Sequence, residues 1–252
     1  DAGSPSVISS TQQDVIYQQL RQWITVGKFL PGERLKIRTV ASQMQVGEMP
    51  VRAALQRLAA EGALVNSPNA GVAIPRLSLP EFDDLVQMRL LLEGEAAEKG
   101  SIRLSPSQAQ QLQSLCEQMQ RSLEKKDASA YLAANEDFHI ILYKAAGSPL
   151  LFQLIDTLWL KAGPISNQLF ETEAAYPVLN QAHQELMFAL KNTDSQGVRR
   201  AIEKDIFVAP RKLRNALHGD KVKVYVFAKK SGGRRNEGEI VEILKRAKTE
   251  FI

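Results

Sequence analysis

The chain has 252 residues, 44% hydrophobic and 24% charged, an ordinary balance for a globular protein with one large or two ordinary cores. A single cysteine, Cys116, excludes an internal disulfide and makes the cytoplasm the expected compartment; no apolar run approaches the roughly 20 residues that span a bilayer, so no membrane partner is expected. The net charge of +4 is unevenly placed: residues 10–76 carry eight Lys/Arg against four Asp/Glu, residues 206–252 carry twelve against five, and the remainder is acidic, so polyanion contact is expected at the two ends and another task in the middle.

Residues 1–9 lack the basic-then-apolar pattern of a signal peptide and read as a disordered lead-in. Residues 10–76 read as the first domain. Helical periodicity begins at Val15-Ile16, continues through Leu20, Trp23 and Ile24, and stops near Gly27. Phe29-Leu30-Pro31-Gly32 is a turn, and a short second helix spans Ile37–Met44. Gly47-Glu48-Met49-Pro50 follows, where Gly47 suits a turn and Pro50 the first position of a helix. The third helix, Pro50–Glu61, buries Val51, Leu55 and Leu58 and leaves Arg52, Gln56 and Arg57 more exposed. Two apolar stretches, Ala63–Val65 and Val72–Ile74, flank Pro68-Asn69-Ala70-Gly71 as a hairpin or wing. Periodicity alone fits either a winged helix-turn-helix or a three-helix bundle with an attached hairpin.

The strings Leu20-Arg21 to Leu30-Pro31-Gly32-Glu33-Arg34-Leu35 and Met49-Pro50-Val51-Arg52-Ala53-Ala54-Leu55 to Glu61-Gly62 resemble a GntR-family DNA-binding domain over about residues 12–75. The resemblance implies double-stranded operator DNA as partner. It puts Arg38 and Arg52 at the DNA, with Thr39, Pro50, Gln56 and Arg57 lining the same surface. A forked guanidinium suits guanine O6/N7 or a phosphate. Where relatives often carry Ser-Arg-Thr before the proline, this chain has Gly47-Glu48-Met49, and Ala70 stands at the wing tip where a basic residue is common. Glu48 repels phosphate yet can accept from cytosine N4, so Glu48 and Met49 join the candidate DNA-binding residues and an altered sequence preference is expected.

Residues 77–207 are helical almost throughout, an antiparallel bundle with no strand alternation and no phosphate-cradling glycine motif. Helices are expected after Leu79-Pro80-Glu81, from Ser105-Pro106 to Leu123, over about Ala128–Ala146, Pro149–Gly163 and Ala174–Leu190, and from Asp194-Ser195 onward. Asn135 and His139, four apart, share a helix face; His183 and Asp205 lie on later helices. The spacing fits two hydrogen-bonded core histidines or a metal set. Arg89-Leu90-Leu91-Leu92-Glu93, Asn135-Glu136-Asp137-Phe138-His139 to Pro149-Leu150, and His183-Gln184-Glu185-Leu186 resemble the FCD effector domain of the FadR-type branch of the GntR family, over about residues 78–206. That resemblance implies a divalent metal ion (zinc, nickel or manganese) on Asn135, His139, His183 and Asp205, with Asp205 standing where a third histidine is usual and so a weaker grip on zinc. It also makes Arg89 a candidate to hold the carboxylate of a small-molecule effector, the other reading being a helix-surface ion pair with Glu93.

Residues 208–252 form a basic tail. Pro210 is expected to break the last helix. Val222, Val224 and Val226 alternate with Lys221, Lys223 and Tyr225 as a strand; Ser231-Gly232-Gly233 turns the chain, and Glu239–Leu244 returns as a partner. The stretch from Asp205-Ile206-Phe207-Val208 to Gly219-Asp220-Lys221-Val222 resembles part of a cold-shock (OB-type) domain of ribonuclease R-like exoribonucleases, which points to a fusion near Asp205–Val208 or to a basic appendage.

The expected fold is mostly α: an N-terminal winged helix-turn-helix, an antiparallel all-helical effector bundle and a short β-containing basic tail. The expected function is a DNA-binding transcriptional regulator, a homodimer and repressor, whose operator affinity is controlled by a small carboxylate metabolite bound in a metal-containing helical domain. The alternative is an RNA-binding protein acting through the cold-shock-like tail, which in either case is expected to add sequence-independent RNA contact. No nucleophile–base pairing is present, and His218 lies in a Gly-Asp turn, so no enzyme is expected.

Overall fold

Five short strands and nine helices run along the residues that a computed structural model describes: 6–67, 71–166, 179–213, 221–226 and 238–245, with side chains over 12–66, 71–78, 80–165 and 179–206. The wing tip at residues 68–70, the start of the helix expected from Ala174, the turn at His218 and the turn at Ser231-Gly232-Gly233 lie outside the described residues.

The first domain is α1 (Ser6–Thr25), β1 (Arg34–Leu35), α2 (Ile37–Met44), α3 (Glu48–Ala60), β2 (Val65–Ser67) and β3 (Gly71–Ala73). Helix α1 starts well before Val15-Ile16, so residues 6–9 of the expected lead-in are helical. Nothing between Ser6 and Val15 is Gly or Pro, and extending a helix already anchored by packing costs little per residue. Ile16, Tyr17, Leu20 and Ile24 recur at helical spacing and bury against Val51, Ala54, Leu55 and Leu58 of α3. Each buried Leu or Ile contributes about 1.5–3 kcal/mol. The expected helix-turn-helix geometry forms with two differences. The left-handed residue is Gln45 (φ 56°), whose N–H bonds back to α2, while Gly47 is extended (φ −68°) and acts as N-cap of α3. Helix α3 begins at Glu48, two residues early; Pro50 sits in its first turn, where a missing N–H leaves no bond unmade. The wing strands β2 and β3 pair antiparallel, and β1, which the sequence did not announce, adds beside β3 with Leu35 opposite Val72.

The second domain is α4 (Leu79–Arg103), α5 (Pro106–Glu124), α6 (Ala128–Ala145), α7 (Pro149–Ser166), α8 (Gln181–Lys191) and α9 (Ser195–Leu213). Capping boxes at Ser78/Glu81 and Ser105/Gln108, each with a proline in the first turn, start α4 and α5, and the Asp127 carboxylate accepts from Ala130 N–H to start α6. Helix α4 packs on α6, α7 and α9; α5 packs on α6 and α8; α8 packs on α9. Helices α4 and α6 come close at Gly100, where any Cβ would run into the Leu142 carbonyl. Phe138, Leu142, Met119, Leu112, Leu186 and Val198 fill the core. Helix α9 continues through Pro210 to Leu213, against the expected break. A proline removes one hydrogen bond, but the preceding turns of α9 are held by Val198, Ala201, Ile202 and Ile206 in the core.

In the tail, β4 (Lys221–Val226) and β5 (Gly238–Lys245) pair antiparallel with two register irregularities, and β5 touches α9. No helix among the described residues is long and apolar enough to cross a membrane.

Candidate functional site

Two places in the structure gather the residues singled out from the sequence. The first is the outer face of α2 and α3. Arg38 and Thr39 on α2 are exposed, as are Glu48, Met49, Arg52 and Gln56 on α3. Positions 48, 49, 52 and 56 follow the one-turn step, so they line one stripe that starts at the helix N-terminus, where backbone N–H groups are free and the helix dipole is positive. Met49 is 73% exposed, an apolar side chain held in water at the leading end of the helix. Pro50 is half-buried beneath the stripe. Arg57 is not brought to this face. Five positions after Arg52 it turns towards α1, where its guanidinium lies 3.7 Å over the Tyr17 ring and pairs with Asp14 (3.2 Å) and Glu61 (3.3 Å).

The second place lies inside the helical bundle. Helices α6, α8 and α9 bring His139, His183 and Asp205 together, with one ligand atom of each within 4.8 Å of the others. His139 Nε2 stands 3.1 Å from His183 Nε2 and 3.3 Å from Asp205 Oδ2. Both imidazoles are buried, packed edge-on against Phe138, while Asp205 keeps 21% of its side chain exposed. Asn135 stands half-buried one turn before His139 on the same helix.

A hydrogen-bonded chain backs this cluster. Arg89 donates from Nε to Glu93 Oε1 (2.6 Å) and from Nη2 to Oε2 (3.3 Å). Tyr143 donates its hydroxyl proton to Glu93 Oε2 at 2.8 Å, and His139 Nδ1 lies 3.0 Å from the same hydroxyl. Glu93 is fully buried, so its pair with Arg89 is an interior one and not the surface ion pair that i,i+4 spacing suggested. Burial works against the Arg89 charge, but the charge and hydrogen bonds of Glu93 outweigh it and hold the guanidinium above its ordinary pKa. Burial, followed by the Glu93 charge, pushes the Tyr143 hydroxyl well above its ordinary value, so it stays a donor.

Burial lowers His183 to about 4, which leaves it neutral near pH 7 with a lone pair to offer. Burial would raise Asp205, yet the facing His183 and His139 and the more distant Arg89 hold its carboxyl below the usual range. Two imidazole nitrogens and a carboxylate oxygen therefore converge on one space. Ligands 2.0–2.1 Å from a metal stand about 3.4 Å apart when tetrahedral and about 2.9 Å when octahedral, which brackets the two separations found here. The donor set fits a divalent ion. His183 Nδ1 has no partner in hydrogen-bond geometry, although the Leu179 carbonyl favours the protonated ring, and Trp159 Nε1 at the edge of the cluster has none either.

Tyr143 and Trp159 carry this environment and were not singled out from the sequence, where Glu93 entered only as a surface partner for Arg89. Spacing held a trace of them: Tyr143 is one turn beyond His139, and Glu93 one turn beyond Arg89. Trp159, on α7, is 5.5 Å from His139 and 6.1 Å from Tyr143, ring centre to ring centre. Its neighbour Leu160 lies in the core of the first domain. Along the same contact Arg21 of α1 pairs with Asp156, and a Cβ on Gly163 would run into the Ile24 and Thr25 carbonyls.

Comparison with known proteins finds three matching stretches. Residues 12–74 match the family described as bacterial regulatory proteins, gntR family; residues 84–206 match the FCD domain; residues 200–243 match the ribonuclease B OB domain. The last two overlap within α9. The HTH-type transcriptional regulator McbR of Escherichia coli K12 is 30% identical over 204 residues, 79% of this chain and 90% of the relative. The HTH-type transcriptional repressor RspR of the same strain is 25% identical over 187 residues, 74% and 82% of the two chains. Among solved structures, E. coli McbR/YncC superposes with a TM-score of 0.72 at 27% identity, covering 77% of this chain and 92% of its own. A regulator from Rhodococcus sp. RHA1, at 17% identity and a TM-score of 0.66, shares the fold.

Proposed function

Because the chain belongs to the gntR family of bacterial regulatory proteins and carries an FCD domain, we propose that it is a homodimeric repressor whose grip on its operator is set by a small carboxylate in a metal-containing pocket. Transcriptional regulators, not enzymes, are its relatives. Repression is the mode named for the relative RspR.

The observation that carries the reading is the pairing of two faces in one chain: an exposed stripe of Glu48, Met49, Arg52 and Gln56 beside Arg38 and Thr39, and a buried convergence of His139, His183 and Asp205. On DNA, α3 lies in the major groove with its N-terminal residues at the base edges. Arg38 and Arg52 take guanine or phosphate, Glu48 selects for cytosine N4, and Met49 packs on a thymine methyl. In the bundle, His139, His183 and Asp205, with Asn135 from the same face of α6, would hold a divalent ion, tying α6, α8 and α9 together; such an ion would supply a Lewis acid for a carboxylate. Arg89 Nη1, which Glu93 does not engage, would be the donor for the same carboxylate.

Thermal melting with zinc, nickel or manganese, alone and with a panel of small carboxylates, tests the pocket, because ligand binding raises apparent stability by mass action. Gel shifts against genomic fragments, repeated with any stabilising carboxylate, then test the coupling. A ligand that raises the melting temperature and leaves operator affinity unchanged would overturn the regulatory half of the reading.

A further inference from the structure

Hydrogen-bond donors around the bundle cluster can be counted one by one. The Tyr143 hydroxyl has a single proton, and the geometry commits it to Glu93 Oε2 at 2.8 Å. Glu93 accepts at both oxygens from Arg89, which keeps it an acceptor only. Towards His139, the Tyr143 oxygen therefore has lone pairs to give and no proton. A contact of 3.0 Å between that oxygen and Nδ1 is a hydrogen bond only when Nδ1 carries the proton. In a neutral imidazole the other nitrogen is then bare. That nitrogen is Nε2, which faces His183 Nε2 and Asp205 Oδ2.

We infer that Tyr143 is a positioning residue: held by Glu93 and Arg89, its hydroxyl fixes His139 in the Nδ1–H tautomer and aims the Nε2 lone pair into the space shared with His183 and Asp205. The inference rests on the reading that this space takes a divalent ion. It assigns a purpose to three groups that packing does not require. A phenylalanine would fill the Tyr143 site equally well, and Glu93 would not be worth burying without both of its donors. It also explains why an arginine with an effector-binding look spends two of its nitrogens on an interior glutamate. Arg89 donates to both Glu93 oxygens, Glu93 accepts from the Tyr143 hydroxyl, and the Tyr143 oxygen accepts from His139 Nδ1–H.

The test uses the full chain, stripped of metal and titrated with zinc against a chromophoric chelator, together with imidazole nitrogen shifts from histidine labelled with nitrogen-15. Metal-free wild type is expected to show His139 protonated at Nδ1. Tyr143→Phe is expected to keep its helical content, release His139 to the Nε2–H form, and bind zinc about 10–100-fold more weakly, the usual effect of losing an outer partner of a ligating histidine. Glu93→Gln, which keeps the tyrosine, is expected to weaken zinc in the same direction. A structural role alone would lower stability without moving the tautomer. Zinc bound equally by wild type and Tyr143→Phe, or Nε2–H at His139 in the metal-free wild type, overturns the inference. Wild type that binds no zinc, nickel or manganese but shows the Nδ1–H form overturns the metal reading and leaves the tautomer assignment standing.

Discussion

Replacing Asp205 with histidine puts a third imidazole where two already face each other at 3.1 Å. Zinc prefers nitrogen to oxygen in such sites, so Asp205→His should tighten zinc roughly tenfold in a chelator competition. Unchanged or weaker zinc would mean that position 205 is no ligand. A second single-residue effect sits at Gln45, whose φ of 56° is unfavourable for a side chain with a Cβ. Gln45→Gly should stabilise the protein by about 0.5–1 kcal/mol in urea unfolding, since glycine adopts the left-handed region freely. The sequence pointed to Gly47 for that role, because glycine is the residue chemistry favours. The chain instead puts the bend where α2 has to end, and uses Gly47 as an N-cap. The convergence of His139, His183 and Asp205 was legible from spacing and resemblance together, and so was the pairing of Arg89 with Glu93. The burial of Glu93 and the part of Tyr143 were not, because a helical step gives the face a residue occupies and not which buried proton it receives.

Along α3, two arginines with the same chemistry have different surroundings. Arg52 belongs to the exposed stripe, and Arg52→Ala should cost roughly 1–3 kcal/mol of specific operator binding. Arg57 stacks on Tyr17 and pairs with Asp14 and Glu61, so Arg57→Ala should lower the melting temperature and leave sequence preference alone. Equal loss of specific binding in both variants would contradict the orientation of the helix. The α9–tail junction makes the opposite point about legibility. Pro210 reads as a helix end, yet packing upstream carries α9 to Leu213, whereas the two tail strands follow directly from period-two alternation. Beyond Leu213 there are ten Lys/Arg against five Asp/Glu. A chain ending at Leu213 should therefore show a shallower salt dependence on random DNA and RNA than the full chain, with operator preference intact. Identical slopes would mean that the tail charge does not reach nucleic acid.

The two domains meet along α1, α6 and α7, and that contact carries its own pH dependence. Burial, aided by the charge of Asp137 and opposed by a hydrogen bond from Gln22, pushes Glu136 up to about 7. The unfolded chain releases that proton near pH 4.5, so between pH 4.5 and 7 the folded state holds a proton the unfolded state has lost. Stability from this group is whole below pH 4.5 and falls as pH rises through 7, by about 3 kcal/mol at most. Glu136→Gln should thus stabilise the protein at pH 8 relative to its effect at pH 5, read as the difference between variant and wild type in urea melts; no difference between the two pH values would show that Glu136 is not held protonated. Helix α7 forms the long side of the same contact. Trp159 borders the histidine pair, Leu160 sits in the DNA-binding core, and consecutive side chains on a helix point about 100° apart. One rod is thereby keyed into two sockets. Any rotation of α7 that moved Trp159 would turn Leu160 through the same angle, and a Cβ at Gly163 would run into the Ile24 and Thr25 carbonyls. A disturbance at the histidine pair would then reach the first core as torque, like a camshaft's.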